Sequence, residues 1–541
     1  MPGEIAATGR RSRLKLTDWG FAAGVVLLVL LPQWMNPYLM IRHDSLLHTS
    51  IANGVLVGGI PPTNLLLAGE PLVYPWLQDA LIAALSAATA ILPMDIWPVW
   101  NSILAACLVL TMAAITRSVG LSNRTAFSTS MLGFLGINAL GLFFGVARSD
   151  LLFQHGDVLT VVRAMTWHTD ARLAGLVTKY WVASPFPLAI LLYLSTIRIT
   201  MRFLELVPGK PMVRSSVALA LLFALLTALG GTQIVVFGAT CVAVPLAATL
   251  TILKRKQNSL KHCFRTLVNL WLPFMAAALL VLSWQVPLRF SAPFSEVDIP
   301  AGAAGSHWLL FLGNITIPLL LPSALVLVGI LKFDLHQEKK DVWTFFIALA
   351  TCCAALSFFH LPGHNEYKLI YLAGLALAFP AAQSLVQFWN LHRVGAAFLI
   401  VLCLMSALLL AIAYIRVSPK YSYTSDELDL GNWIAHHTPP DAVFAEWPGT
   451  QYQIIPVLGQ RSVLVGFTHA LTLWGYDPKE IALRAHLARS LIMKPDAHLA
   501  TSIGVRYVLL DSSSAAGKTL PAGLRTVYRN RTYMVIEVSD Q

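Results

Sequence analysis

The sequence contains few charged residues. Of its 541 residues only 12% are Asp, Glu, Lys or Arg, whereas soluble proteins carry about 25%. Hydrophobic residues make up 56% of the chain, and the mean hydropathy is +0.66. A soluble chain of this length would divide into several domains, whose surfaces need more charge than this. The composition therefore excludes a soluble protein and predicts a polytopic membrane protein.

Cysteine patterns that would indicate metal binding are also missing. The six cysteines include no CxxC pair and no Cys/His spacing of the kind that binds zinc. Most of them lie in apolar stretches, where cysteine behaves as a small hydrophobic residue. We therefore expect neither a zinc site of this type nor a framework of disulfide bonds.

Long apolar runs are abundant, and a membrane span needs about 20 mainly apolar residues. Eleven candidate spans cover residues 19–40, 98–116, 126–147, 181–197, 215–230, 232–252, 267–287, 309–331, 342–360, 369–389 and 394–415. A further run, 76–92, is short and contains Asp79, and we interpret it as a helix lying at the membrane surface. No small-residue cleavage site follows the first span, so we expect this span to be retained rather than removed as a signal peptide.

The distribution of positive charge indicates the orientation. With the N-terminus in the cytoplasm, the inner segments hold 19 Lys and Arg residues, and the outer loops before residue 416 hold seven. Counting 76–92 as a span would move Arg117 and Arg124 to the outside and spoil this pattern. The net charge of +11 thus belongs to cytoplasmic loops, and we expect no nucleic-acid partner. The pattern predicts a multi-pass protein of a bacterial-type cytoplasmic (inner) membrane, with the lipid bilayer as a partner.

The C-terminal part of the chain has a different character. After residue 415, helix-like segments alternate with short β-like runs, and proline and glycine mark the turns between them. We therefore predict two parts: a transmembrane module, 1–415, with large outer loops at 41–97 and 148–180, and a small extracytoplasmic α/β domain, 416–541.

Polar residues are concentrated outside the spans. The spans after the first contain almost no ionisable residues, which argues against an ion-coupled transporter. In the first outer loop Asp44 and His48 are four residues apart, a spacing that places both on one face of a helix, and His43 precedes them. A carboxylate beside imidazoles is a candidate general base or metal ligand. The alternative is that these side chains only solvate a loop or cap a helix.

The first loop also carries a series of short motifs. Asp44 is followed by Gly59-Ile60-Pro61-Pro62, and then by Gly69 and Pro71-Leu72-Val73-Tyr74-Pro75-Trp76. An acid after the first span, a G-x-P-P motif, and P-L-x-Y-x-W before a surface helix resemble the GT-C superfamily of polytopic membrane glycosyltransferases. The resemblance is clearest from the N-terminus through the second loop. The number of spans and the C-terminal α/β domain are compatible with it.

The resemblance implies a fold class, a reaction and site residues. The fold would be an α-helical polytopic membrane protein, GT-C-like, with about 11 transmembrane helices. The reaction would be inverting transfer of a sugar from a polyprenyl-phosphate donor to an acceptor hydroxyl in the cell envelope. Asp44 would be the catalytic base and Asp150 a second catalytic acid. A divalent metal, if present, would be held by Asp44, His48 and Asp150.

The sequence departs from the family in two respects. It has no D-x-D pair in the first loop and no WWDYG-like run, and these absences count against a divalent metal and a peptide acceptor. The resemblance leaves the acceptor open among a glycan, a lipid and a protein.

A lipid phosphate as the leaving group requires cations and helix N-termini near the membrane surface. Lys368 is our first candidate, because a short loop re-enters the membrane there. Glu366 is a further candidate for substrate binding, with pairing to Lys368 as its alternative role. A lysine at a helix end also extends towards water without any chemical role, which is the alternative interpretation. The remaining candidates for substrate binding are His43, His48, Arg148, Arg163 and Arg172, with Lys179 as a further outer-loop cation.

Two other functions fit parts of the pattern. A lipid or polysaccharide transporter would need a polar route between helices, for which the sequence shows few residues. A non-catalytic GT-C-like scaffold would keep the fold and bind no donor. Several residues of the C-terminal domain are candidates either for an acceptor groove or for an ordinary core, namely Trp433, Glu446, Gln451, Arg461, His469 and Trp474.

Overall fold

The chain forms a helical bundle followed by a small C-terminal unit that contains a β-sheet. The computed structural model describes residues 14–36, 43–139, 175–204, 206, 215–255, 260–285, 306–332, 339–359, 365, 367–415, 423–450, 452–513 and 520–538. The fold class expected from the sequence, an α-helical polytopic membrane protein with a small C-terminal α/β part, is confirmed.

Thirteen α-helices are described up to residue 415, together with a 3-10 helix at Leu176–Tyr180. The α-helices are α1 (Leu16–Met35), α2 (His43–Gly58), α3 (Leu77–Thr89), α4 (Pro93–Ser118), α5 (Asn123–Leu135), α6 (Phe186–Phe203), α7 (Ser215–Thr232), α8 (Ile234–Lys254), α9 (Leu260–Gln285), α10 (Ser306–Lys332), α11 (Lys340–Leu356), α12 (Tyr367–Leu391) and α13 (Arg393–Ile415). Among the described residues, seven helices are long and apolar enough to cross a membrane. Each of the eleven expected spans overlaps a helix of this set, and the count of eleven spans stays a prediction.

Helices α1 and α4 run antiparallel. Asp18 near the start of α1 forms an ion pair with Arg117 near the end of α4, with 2.7 Å between Oδ1 and Nη2. Both side chains are buried, which makes this pair a fixed contact between opposite helix ends. The segment between α1 and α4 therefore leaves the bundle and returns to it at one end, which we call the first-loop end.

Helix α3 lies in this segment and is apolar on two sides. Its 13 residues span about 20 Å, which is shorter than the hydrocarbon core of about 30 Å. Ile82 and Ala83 are buried against the bundle, whereas Leu81 and Leu85 are exposed. An apolar outer face on a helix too short to span fits the expectation of a helix at the membrane surface.

Two sets of contacts define the ends of the bundle. At the first-loop end, Asn36 after α1 donates from Nδ2 to the carbonyl of Tyr414 in α13, at 3.0 Å. At the opposite end, Arg255 after α8 binds Asp341 of α11 at 2.6 Å and the carbonyl of Leu204 after α6 at 2.9 Å. The chain therefore enters the C-terminal unit from the first-loop end.

The C-terminal unit is built on a five-stranded sheet. Its elements are α14 (Ser425–His437), β1 (Val443–Ala445), β2 (Ser462–Val463), α15 (Thr468–Leu473), α16 (Pro478–Met493), α17 (Ala497–Ser502), β3 (Tyr507–Asp511), β4 (Leu524–Arg529) and β5 (Tyr533–Val538). The strand order is β2-β1-β3-β5-β4. Strand β1 is parallel to β2 and β3, and β5 is antiparallel to β3 and β4. A capping box of Thr424 and Glu427 starts α14.

The first loop binds along the edge of this sheet. The amides of Val463 and Gly466 donate to the carbonyls of Leu65 and Leu66 at 3.0 and 2.7 Å, and the amide of Ala68 donates back to Val463 at 3.0 Å. A Cβ atom on Gly466 would lie 2.5 Å from Oε1 of Gln453, so a larger residue here would require the Gln453 side chain to move. Loop residues such as Leu66 also belong to the hydrophobic core of the C-terminal unit, and the two parts pack as one body.

The buried ion pair of α1 and α4 gives a test of this helix arrangement. Replacing Arg117 by Ala leaves the buried carboxylate of Asp18 without its counter-charge, which costs about 3 kcal/mol. We expect this loss in the free energy of unfolding of the detergent-solubilised protein, followed by tryptophan fluorescence in urea. The exposed Arg124, in the first turn of α5, is the matched control, and Arg124→Ala should change stability little. Equal stability of the two variants would contradict the ion pair.

Candidate active site

The first predicted site residue lies where α2 begins. Asp44 is in the first turn of this helix, and its side chain is exposed. The positive end of the helix dipole favours a carboxylate at this position. The neighbouring Ser45 accepts a hydrogen bond at Oγ from the amide of Ala183, at 3.2 Å, which fixes the start of α2 against the chain that leads into α6. Asp44 is thus an accessible carboxylate on a fixed helix.

One turn further along α2, His48 is buried and paired. Its Nδ1 lies 2.9 Å from Oδ1 of Asp79 on α3, and neither side chain is more than 1% exposed. Burial raises the pKa of the Asp79 carboxyl. Burial alone would lower the pKa of His48, but the charge and hydrogen bond of Asp79 outweigh it, and the pKa is raised. The pair therefore holds a proton between the two helices.

The charges around His48 show which loops converge here. The negative charge of Asp44 raises the pKa of His48, and the positive charge of Lys368 lowers it. Both groups are therefore close enough to act on one imidazole. Asp44 and Lys368, from two separate outer loops, thus each lie within electrostatic range of His48.

Two lysines lie next to Tyr367, the first residue of α12. Lys368 is in the first turn of α12 and is buried. The Nζ atoms of Lys179 and Lys368 lie 4.3 and 5.8 Å from the centre of the Tyr367 ring. A helix N-terminus next to two ammonium groups favours an anion. This corner is suited to a phosphate group.

Aromatic side chains enclose the imidazole. The rings of Tyr74 and Trp97 lie 5.6 and 5.9 Å from His48, both edge to face. Tyr74 belongs to the P-L-x-Y-x-W motif, and its ring also packs on Trp474 of the C-terminal unit at 4.7 Å. The motif therefore supplies one wall of the site.

Several predicted site residues cannot be placed. Asp150, Arg148, Arg163, Arg172, Glu366 and Gln451 lie outside the described residues, and so does the side chain of His43. Within the described part of the chain, no three His, Cys, Asp or Glu side chains are grouped to hold a metal ion. Because Asp150 is not among them, the proposed metal ligands stay a prediction.

The candidate groove residues of the C-terminal unit have different roles. The buried Arg461 donates from Nη2 to the carbonyls of Ala435 and Thr438, at 2.7 Å each, and so binds the end of α14. The buried carboxyl of Glu446 accepts the amides of Ile454 and Ile455 at 2.7 and 3.2 Å. These contacts are internal to the unit, whereas Trp474 lies beside the site.

Two contacts were missed in reasoning from the sequence. Asp79 is the partner of His48, and the hydroxyl of Tyr476 in the C-terminal unit binds the first loop next to Tyr74. Asp79 is the one acid in the otherwise apolar run of α3, and that isolation was a signal that it has a buried partner. Tyr476 is separated from the first loop by most of the chain, and no local pattern marks it.

The fold has counterparts among solved structures. Arabinofuranosyltransferase AftD from Mycobacteria aligns over 98% of this chain and 40% of its own, with a TM-score of 0.55 and 13% identity. Oligosaccharyltransferase AglB from Archaeoglobus fulgidus, in complex with an inhibitory peptide and a dolichol-phosphate, aligns over 92% of this chain and 69% of its own, with a TM-score of 0.51 and 10% identity. At the level of sequence, no family model and no curated protein matches.

Both counterparts are GT-C glycosyltransferases. The chain therefore has the GT-C fold, as the motifs of the first loop indicated. It spans less than half the length of AftD.

The environment of Glu446 gives a test by pH. Burial raises its pKa to about 8, from 4.5 in an unfolded chain. The folded state holds this proton more tightly, so its stabilising contribution is complete below pH 4.5 and is lost as the pH rises through 8. We expect the thermal unfolding midpoint to fall between pH 5 and pH 9, and to fall less in Glu446→Gln. If the unfolding midpoints of the parental protein and Glu446→Gln fell in parallel with pH, the raised pKa would be contradicted. Glu480→Gln, at a partly exposed carboxyl, is the control and should follow the parental curve.

Proposed function

We propose that the protein is a membrane glycosyltransferase that moves a sugar from a polyprenyl-phosphate donor to an acceptor hydroxyl at the first-loop end. The observation that supports this proposal is that an exposed carboxylate, Asp44, and a buried lysine, Lys368, each lie within electrostatic range of His48 in a GT-C fold. AglB, one of the counterparts in fold, has been solved with a dolichol-phosphate, which is a lipid phosphate of the same chemical class.

Asp44 is the proposed general base. Its carboxylate takes the proton of the acceptor hydroxyl while the hydroxyl oxygen attacks the anomeric carbon of the donor sugar. The bond from that carbon to the lipid phosphate breaks in the same step. A single displacement of this kind inverts the configuration at the anomeric carbon.

The leaving group is the polyprenyl phosphate, and its negative charge grows as the bond breaks. Lys368, Lys179 and the N-terminus of α12 are the described groups suited to stabilise it. Arg148, Arg163 and Arg172 are further candidates from the second loop. Asp150 is the candidate for a second acid.

The orientation belongs to the same proposal. The excess of Lys and Arg supports a cytoplasmic position for the opposite end of the bundle, with the first-loop end and the C-terminal unit facing outwards. Nucleotide sugars are not normally available there, which favours a lipid-linked donor. The acceptor is a glycan, a lipid or a protein of the envelope.

The first test replaces the proposed base. Asp44→Asn keeps the size of the side chain and removes its ability to accept a proton, and general-base catalysis contributes about 100-fold or more. We expect the transfer rate to fall by at least that factor at normal expression. The measurement is release of undecaprenyl phosphate from undecaprenyl-phosphate sugars by protein in nanodiscs supplied with native envelope material.

Asp429, an exposed acid on α14, provides the control for this change. Asp429→Asn should transfer sugar at the parental rate. If Asp44→Asn did so as well, Asp44 would not be the base. If the parental protein released no undecaprenyl phosphate from any donor, the proposed function itself would be wrong.

The second test concerns the lipid phosphate. Lys368→Met keeps the aliphatic length of the side chain and removes its charge, so binding of the phosphate should weaken by about 10-fold or more. The measurement is titration of the purified protein with undecaprenyl phosphate, followed by native mass spectrometry. Lys340→Met, at an exposed lysine of the opposite bundle end, should bind like the parental protein. Equal affinity of all three proteins would remove Lys368 from the phosphate site.

A further inference from the structure

The hydroxyl of Tyr476 connects three groups of the first loop. It accepts hydrogen bonds from Nδ2 of Asn64 at 2.9 Å and from the amide of Val73 at 3.0 Å. It donates its own hydrogen to the carbonyl of Pro71 at 2.5 Å. Tyr476 lies in the C-terminal unit, just before α16, and its side chain is buried. The phenol oxygen thus makes all the hydrogen bonds that it can make, and all of them are with residues 64–73, which are distant in the sequence.

The segment that Tyr476 holds carries Tyr74. Val73 and Pro71, which bind the hydroxyl, are within three residues of Tyr74. The Tyr74 ring lies between Trp474, at 4.7 Å, and His48, at 5.6 Å. A change in the path of residues 71–74 therefore moves an aromatic ring that contacts the imidazole one turn after Asp44.

The two parts of the protein have other attachments, which do not depend on this hydroxyl. Arg484 of α16 donates from Nη1 to the carbonyl of Ala68 at 2.6 Å. Asn53 of α2 donates from Nδ2 to the carbonyls of Pro456 and Val457 at 3.0 and 2.8 Å. With these contacts and the edge pairing of Leu65–Ala68 in place, loss of one hydroxyl leaves the C-terminal unit attached.

We propose that Tyr476 is a positioning residue of the site, which acts through Tyr74. Its hydroxyl sets the path of residues 71–74 and so holds the Tyr74 ring against His48. The C-terminal unit thereby completes the wall of the site next to the proposed base. The catalytic part of this inference rests on the proposed transferase function, whereas the structural part stands without it.

The structural part is tested by hydrogen exchange in the full-length protein. Tyr476→Phe removes one oxygen and keeps the ring, so the amide of Val73 loses its acceptor. We expect amide exchange within residues 71–76 to become at least 10-fold faster, while exchange at residues 463–466 stays as in the parental protein. Unchanged exchange at 71–76 would overturn the proposal, whether or not transfer activity is found.

The catalytic part is tested by a double-mutant cycle. Tyr476→Phe should lower kcat/KM by about 10-fold or more, because small displacements in a site have effects of this size. Tyr74→Ala should lower it as well, and adding Tyr476→Phe to Tyr74→Ala should lower it no further. Additive losses would mean that Tyr476 acts on stability and not through Tyr74, and would overturn the proposal.

Tyr507 is the matched control. Its hydroxyl donates to Glu537 at 3.1 Å within the C-terminal sheet, so Tyr507→Phe removes a similar buried hydrogen bond away from the first loop. This variant should keep parental kinetics and parental exchange at 71–76. If it lost as much activity as Tyr476→Phe, the effect would be general to the unit and the assignment to Tyr476 would be wrong. If Asp44→Asn were as active as the parental protein while Tyr476→Phe was not, the choice of base would be wrong and the positioning role would stand.

Discussion

The site depends on the backbone hydrogen bonds that join Leu65–Ala68 of the first loop to the edge of the C-terminal sheet at β2. An exposed strand edge offers unpaired amides and carbonyls that need partners, and this loop supplies them. Because the loop is tied to the sheet, the stretch of chain that joins α2 to α3 is held against the C-terminal unit. The proposed base and the buried His48–Asp79 pair lie on those two helices. The geometry of the site is thus a property of both parts of the chain.

Helix α2 itself is shaped by the return of the chain after it. A Cβ atom on Gly54 would lie 2.2 Å from the carbonyl oxygen of Thr63, and one on Gly58 would meet the Thr63 side chain. The amide of Thr63 in turn donates to the carbonyl of Gly54 at 3.2 Å. Two glycines one turn apart therefore let the loop fold back along the helix. This close approach directs the chain towards β2.

Much of the fold could be predicted from composition and charge, because a bilayer imposes length and apolarity on every span. The antiparallel return of α4 beside α1 agrees with the interpretation of α3 as a helix that does not cross. Asp44 and Lys368 could be selected as site residues because polar side chains next to spans are few. Their placement within electrostatic range of His48 could not, since it depends on how α2 and α12 are arranged in the fold.

The pairing of His48 with Asp79 shows where pattern reasoning reaches its limit. The spacing of Asp44 and His48 places them on one helix face, but Asp44 is exposed and His48 is buried. The difference in burial comes from α3, whose single carboxylate, Asp79, faces His48 across the gap between the two helices. The role of Tyr476 is harder still to predict, because its three partners on the first loop are more than 400 residues away in the sequence.

The order of the chain has a consequence for biosynthesis. Asn64 and Tyr476 are separated by 412 positions, so the first loop is made long before the residues that hold it. Until the C-terminal residues have been made, the backbone groups of the loop lack the partners that they have in the folded protein. A protein built in this way completes the surroundings of its candidate site only at the end of its own synthesis. A chain interrupted before α15 would carry the bundle and the proposed base without a finished wall around them.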